Sequence, residues 1–389
     1  MNIRDLSLEY ADYVIDLRRE FHQYPEIAWE EQHTARRIER ELGTMGIPCR
    51  RIADTGIVAV IEGAKKGAAV ALRADMDALK VTERTALPYA SEHDGVMHAC
   101  GHDGHMAMLL GAARILKKMH HELPGTVTLI FQPAEEMTEG AKRLIGEGVM
   151  EGVKSIFAIH LWSELTSGKI SLEEGARMAA SDVFTVRIAG KGGHGALPHC
   201  CVDSVVAGSA MVMNLQSVVS RMVNPLESAV VTVGAFNAGT TFNVIAGEAL
   251  LQGTARFYDA NTGAVVKESI QRIVEDTAHS YGAKAEIDYR HAVDPVVNDR
   301  RCSEIACKSA ESLGLKQRIV RMDKVTAGED FSEYQKYAPG IMVFLGIRNE
   351  DKGMMYPHHH EMFMVDEDVL EIGTALYAKY AIDFLGHCE

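Results

Sequence analysis

Apolar positions at the start of the chain recur with helical spacing. "LSLEYADYVIDLRREFHQYP" carries them to Pro25 and "EEQHTARRIERELGTMG" presents charged faces up to Gly46, so two helices are expected over residues 5–46. The pattern then changes to short β-branched runs bounded by glycine, "TGIVAVIEG" and "AAVALRADMDAL", which predict strands. "AMLLGAARILKKM" (107–119) places Leu109, Ala112, Leu116 and Met119 on one helical face. "TVTLIFQP" (126–133) and "SIFAIH" (155–160) read as strands, with a helix near 140–150 between them. Such alternation predicts an α/β domain with a mostly parallel sheet covered by helices on both faces.

From residue 182 the order differs. "DVFTVRIAG" is a strand, "DSVVAGSAMVMNLQSVVS" a helix, "AVVTVGAFN" and "EALLQGTARFY" strands, "GAVVKESIQRIVEDTAHSYG" a helix and "AKAEIDYRH" a strand. This βαββαβ succession is a split βαβ, or ferredoxin-like, unit of the size of a small domain. After 295 the first style returns with a helix over 300–313, the strand "GIMVFLGI" and the amphipathic C-terminal stretch "EDVLEIGTALYAKYAIDFL". The expected organisation is a discontinuous domain, 1–181 with 296–389, into which 182–295 is inserted.

Composition narrows the function classes. The 389 residues are 47% hydrophobic and 24% charged, a balance that suits a globular protein of two domains. Acids outnumber bases, for a net charge of −14, and the basic residues are intermixed rather than gathered, which argues against binding nucleic acid. The charged start "MNIRDLSLEY" lacks the apolar core of a signal peptide, and no apolar run reaches the roughly 18 residues of a membrane span. A cytoplasmic protein without membrane contact is expected. Seven cysteines at irregular spacing, with no CxxC pair, are expected to be free thiols.

Polar clusters come after the carboxyl ends of separate strands: "RADMD", "QPAEE", "HLW" and, after "GIMVFLGI", the loop "YPHHHEMF". In open α/β sheets the crevice outside those ends is where ligands bind. "MHACGHDGHMAML" adds a thiol and three histidines ahead of an apolar helix. A tight turn at Gly101 would let Cys100 and His102 both point inward. Thiolate, imidazole and carboxylate together suit Zn²⁺ or Mn²⁺ better than Mg²⁺ or Ca²⁺. Adjacent Glu135 and Glu136 cannot face the same way if extended, so one is expected to ligate while the other faces a water as general base.

"RADMDAL", "MHACGHDGHMAML", "FQPAEE", "GKGGHGALPH" and "NVI", in this order and at these separations, resemble the M20 metallopeptidase family. The likeness runs over nearly the whole chain. It is strongest to the amidohydrolase branch of hippurate hydrolases, N-acyl-amino-acid deacylases and auxin-conjugate hydrolases. The resemblance implies a two-metal catalytic domain and a lid domain through which the protein forms a homodimer or a higher homo-oligomer. It implies Cys100, His102, Glu136, His160 and one histidine of 358–360 as metal ligands, and Glu135 as general acid and base. His359 is chosen because the family's ligand stands four residues before an aromatic, here Phe363; Glu361 stands where the family commonly has proline. Asp75 matches an acid that orients a metal-binding histidine in related enzymes, but Arg73 occupies that histidine's place, which leaves Asp75 a supporting role. His105 is expected behind the site. His194 is implied as an oxyanion stabiliser, and Asn243 and Arg256 as contacts to the substrate.

The reaction so implied is hydrolysis of the amide of an N-acyl amino acid, with two divalent ions per subunit, Mn²⁺ or Zn²⁺ ahead of Co²⁺ or Ni²⁺. A dipeptidase or carboxypeptidase acting on short peptides would share every residue named. Two further readings compete: an amidase using Cys100 as a thiolate nucleophile with His102 or His160 as base, and a noncatalytic metal-binding protein.

Overall fold

The computed structural model describes residues 2–65 and 67–387, which form two compact units. The first takes in the chain up to Arg177, Val297–Asp323 and the stretch from Asp330 onward; the second comprises Met178–Val296 together with Lys324–Glu329. The parallel bridge between Met178 and Val325 ties that short return segment to the second unit.

In the first unit seven strands make one sheet, in the order Cys49–Ile52, Gly56–Glu62, Thr126–Gln132, Ala69–Asp75, Val153–Thr166, Gly340–Arg348 and Ile170–Ser171. The four strands from Thr126–Gln132 to Gly340–Arg348 run parallel, while the two N-terminal strands and Ile170–Ser171 add antiparallel edges. The parallel strands read as unbroken apolar runs because helices cover them: Gly340–Ile347 is buried throughout. The helix His102–Lys118 is buried on nearly every side, against the sheet and against the helices Ala11–Gln23 and Leu370–Gly386. It starts five residues before the expected 107, because His102, Asp103 and His105 are buried polar residues that an apolar pattern does not count.

Three helices, not two, precede the sheet: Ile3–Glu9, Ala11–Gln23 and Gln32–Thr44. Tyr10, with φ −98° and ψ 7°, breaks the first apolar run into two helices. The helix expected near 140–150 covers only Gly140–Gly146, and the strand begun at Val153 runs past His160 to Thr166.

The second unit is a four-stranded antiparallel sheet in the order Ala229–Ala238, Glu248–Phe257, Ala180–Ala189, Lys284–Val293. The helices Ser204–Ser217 and Ala260–Ser280 cover one face, and Phe184, Val186, Ile188, Met211, Leu251 and Ile270 form its core. Asp203 and Asp259 cap the two helices by accepting from their first backbone amides. A short ribbon pairs Gly193–His194 with Val244–Ile245. Among the described residues no helix is long and apolar enough to cross a membrane.

Candidate metal centre

The four parallel strands of the first unit end side by side, and the polar groups are carried at or just beyond those ends. Asp75 closes its strand, and Asp77, Cys100 and His102 come after it. Glu135 and Glu136 come after Gln132, His160 lies within the next strand, and His359 belongs to the loop after Arg348. Gly101, at φ 91°, makes the turn between Cys100 and the helix that opens at His102. Seven described residues other than glycine have positive φ, and three of them flank the site: Ala134 at 53°, just before the paired glutamates, Thr138 at 56° and His359 at 64°. Non-glycine residues rarely do so, and such backbone concentrates at functional sites.

One ligand atom each from Cys100, His102 and His160 lies within 4.8 Å of the others, and the same holds for Cys100, Glu136 and His359. The two triads share Cys100. A further set joins His102 with both Glu135 and Glu136. The paired carboxylates thus face one region; the chain there is a turn over 135–138 rather than extended, so alternation does not separate them.

Hydrogen bonds fix which nitrogen each histidine presents. His102 Nδ1 donates to Asp77 O at 2.8 Å and His160 Nδ1 donates to Leu161 O at 2.8 Å, which turns each Nε2 toward the cluster. His358 spends both nitrogens, one on Leu161 O and one on Ser163 Oγ, whereas His359 Nε2 lies 3.3 Å from Glu136 Oε1. His105 is also fully committed: Nδ1 donates to Asp75 Oδ1 at 2.6 Å and Nε2 accepts from Leu161 N at 2.9 Å. Asp75 in turn is held by Arg73 at 2.7 Å. Arg73, Asp75 and His105 therefore form a chain that ends on the backbone of Leu161, beside His160.

Divalent cations fit this donor set. His102 Nε2 is buried and makes no hydrogen bond among the described residues, a loss of about 1–3 kcal/mol for a buried polar atom that a bound cation would remove. Burial opposes charge on His102, yet the Asp75 carboxylate and the Cys100 sulfur overcome it and raise its pKa well above the usual value. Interactions with Cys100 and then Glu136 push His359 up to about 10. His160 is the reverse case: burial, with His105 and His358 nearby, keeps it well below the usual value and neutral, as a ligand must be. His98 is 1% exposed, and burial lowers its pKa to about 3.

His194, Asn243 and Arg256 belong to the second unit. His194 and Asn243 are neighbours on the short ribbon, where Gly195 N donates to Asn243 O at 2.9 Å and Val244 pairs with His194. Arg256, on Glu248–Phe257, donates to Ser181 Oγ, Thr254 Oγ1 and Ala255 O and has no ion-pair partner among the described residues. Glu31 belongs to no motif in the sequence, and reading the chain alone misses it. Its carboxylate, 104 positions before Glu135, reaches the backbone of Ala134.

Residues 71–383 match the model of peptidase family M20/M25/M40. N-acetyl-L-cysteine deacetylase of Bacillus subtilis is 40% identical, over 95% of this chain and 88% of its own. Thermostable carboxypeptidase 1 of Saccharolobus solfataricus is 39% identical, over 97% of this chain and 96% of its own. The crystal structure of Bacillus subtilis YXEP protein, a dinuclear metal binding peptidase from the M20 family, superposes with a TM-score of 0.86 at 35% identity, covering 97% of this chain and 99% of that one.

Proposed function

The chain belongs to peptidase family M20/M25/M40, and from that membership we propose that it cleaves N-acyl amino acids into a carboxylic acid and a free amino acid. It is a metal-dependent hydrolase of amide bonds. The observation that carries the metal centre is the pair of triads sharing Cys100, with Glu135 beside them, and the likeness to a deacetylase supports the acyl amino acid as substrate. Cys100, His102, Glu136, His160 and His359 would hold two divalent ions, Mn²⁺ or Zn²⁺ by their mixed sulfur, nitrogen and oxygen donors, with Co²⁺ or Ni²⁺ as substitutes. Such ions supply a water of lowered pKa and polarise the scissile carbonyl.

Glu135 takes the proton of the attacking water and returns it to the leaving amine. It is 7% exposed, which keeps bulk water from competing for that proton. His194 donates to the oxyanion, and Asn243 and Arg256 hold the free carboxylate of the amino acid. Arg256 has no ion-pair partner of its own among the described residues, which leaves its charge to a substrate. We assign the protein to the cytoplasm, in keeping with the free cysteines among the described residues.

Cys100 is a poor candidate for the nucleophile, because burial and the Glu136 charge push its thiol pKa up, away from an activated thiolate. Metal-stripped protein reloaded with Mn²⁺, Zn²⁺ or Co²⁺ should hydrolyse N-acetyl or N-benzoyl amino acids, and iodoacetamide should leave the loaded enzyme active. Turnover of dipeptides alone would move the assignment to a peptidase. Glu135→Gln should keep its metal content and lose about 10²–10⁴-fold in kcat; a near-normal kcat removes Glu135 from the mechanism.

A further inference from the structure

The turn that presents Glu135 and Glu136 is gripped from below by two buried carboxylates. Glu31 Oε1 accepts from Ala134 N at 3.1 Å, and its Oε2 accepts from the Thr55 hydroxyl at 2.7 Å. Asp77 Oδ1 accepts from Glu135 N at 2.9 Å and Oδ2 from Glu136 N at 3.1 Å. Three successive backbone amides are thereby held by acids that are themselves 0% and 1% exposed. The grip acts where the chain most needs it, since Ala134 is in the left-handed region at φ 53°.

We propose that Glu31 and Asp77 are positioning residues, a carboxylate cradle that locks the 134–136 turn so that Glu135 and Glu136 project together into the metal centre. The cradle deepens the assignment of Glu135 as proton acceptor and rests on it. Asp77 does double duty, because its backbone carbonyl also fixes Nδ1 of His102 at 2.8 Å. One residue thus orients one histidine and two glutamates of the cluster. Its bonds are of the kind that set the direction of ligands from outside the coordination sphere.

The two acids make different chemical demands, and this is the difference the experiment exploits. Each oxygen of Glu31 takes one bond, and the partner of Oε2 is a hydroxyl that can turn from donor to acceptor. An amide therefore fits there: the oxygen of glutamine accepts from Ala134 N while its NH₂ donates to Thr55. Asp77 accepts from a backbone amide with both oxygens, and neither amide can turn. An asparagine at 77 must aim its NH₂ at one of them and lose that bond.

The experiment measures, for each variant, kcat and KM on the acetylated amino acid best turned over by the native protein, and Co²⁺ affinity from visible absorption of the titrated apoprotein. Glu31→Ala and Asp77→Asn are expected to lose about 10–100-fold in kcat at saturating Co²⁺ with KM within about twofold, and Asp77→Asn about tenfold or more in Co²⁺ affinity. Glu31→Gln is expected within about threefold of the native kcat, the rescue that a cradle of acceptors predicts. Native kcat in Glu31→Ala, native kcat and Co²⁺ affinity in Asp77→Asn, or Glu31→Gln as impaired as Glu31→Ala would each overturn the proposal. If Glu31→Ala does not fold, the isosteric Asp77→Asn decides. If the native protein hydrolyses no amide, the function assignment fails by itself, and the Co²⁺ affinity of Asp77→Asn still tests the cradle.

Discussion

Glu31 shows how far a single residue's environment departs from what its letter suggests. In the sequence it is one of two acids before a charged helix; in the fold it is buried, and burial pushes its pKa up to about 7 despite the bonds from Thr55 and Ala134. A folded pKa above the unfolded one means that its stability contribution is full below about 4.5 and is lost as pH rises through about 7. Glu31→Gln has no proton to lose. It should match the native protein near pH 5 and exceed it in stability near pH 8, by denaturant unfolding at both values; a difference independent of pH contradicts this. At this scale the candidate donors could be proposed from the sequence because cysteine, histidine and glutamate at strand ends carry their chemistry in their names. The partners that aim them could not. Glu31 acts on a backbone amide far along the chain, and Asp75 bonds His105 at 2.6 Å through Oδ1 and Arg73 at 2.7 Å through Oδ2, which also lies 3.8 Å from His102 Nε2.

Among the elements, the helix His102–Lys118 is the one on which the centre hangs, and a buried ion pair fastens its first turn. Arg18 Nε donates to Asp103 Oδ2 at 2.8 Å, His22 Nδ1 meets the same oxygen at 2.8 Å, and both side chains of the pair are 0% exposed. The pair binds Ala11–Gln23 to the helix that carries His102. Removing Asp103 leaves the buried Arg18 with Glu367 at 3.2 Å as its remaining ion pair, so Asp103→Ala should lose about 2–4 kcal/mol by denaturant unfolding, and a loss under about 1 kcal/mol would contradict the role. Apolar periodicity locates this helix but misplaces its start. Its first residues are polar groups that Arg18, Asp75 and the backbone satisfy, apart from His102 Nε2.

For the whole molecule, we propose assembly through the second unit. Its helix Ser204–Ser217 leaves Val206 47% and Met213 71% exposed, two turns apart on one side, and Leu226 and Phe242 of the same unit are 89% and 99% exposed. Large apolar side chains left exposed to this degree suit an association surface. Light scattering should find a dimer that Met213→Glu with Val206→Glu converts to monomer; a monomeric native protein would sink the idea. The alternation of strand and helix was enough to foresee a large, mostly parallel sheet. It was not enough to foresee that Lys324–Glu329 returns to that second unit, since six residues carry too little pattern to be read alone.

Gly340–Arg348 pairs in parallel with Val153–Thr166, with Gly340 opposite Ile156. On a ribosome adding about 5–20 residues per second, the earlier strand waits on the order of 10–40 s for its neighbour to be made. During that wait the βαββαβ segment has been synthesised whole and has its own core, so it is positioned to fold first. The N-terminal half meanwhile holds a sheet with one flank open, a state in which unpaired strands invite aggregation. His359 emerges only after the closing strand. The newborn chain therefore acquires His359, a proposed metal donor, only after its last central strand, with the buried helix Leu370–Gly386 still to come.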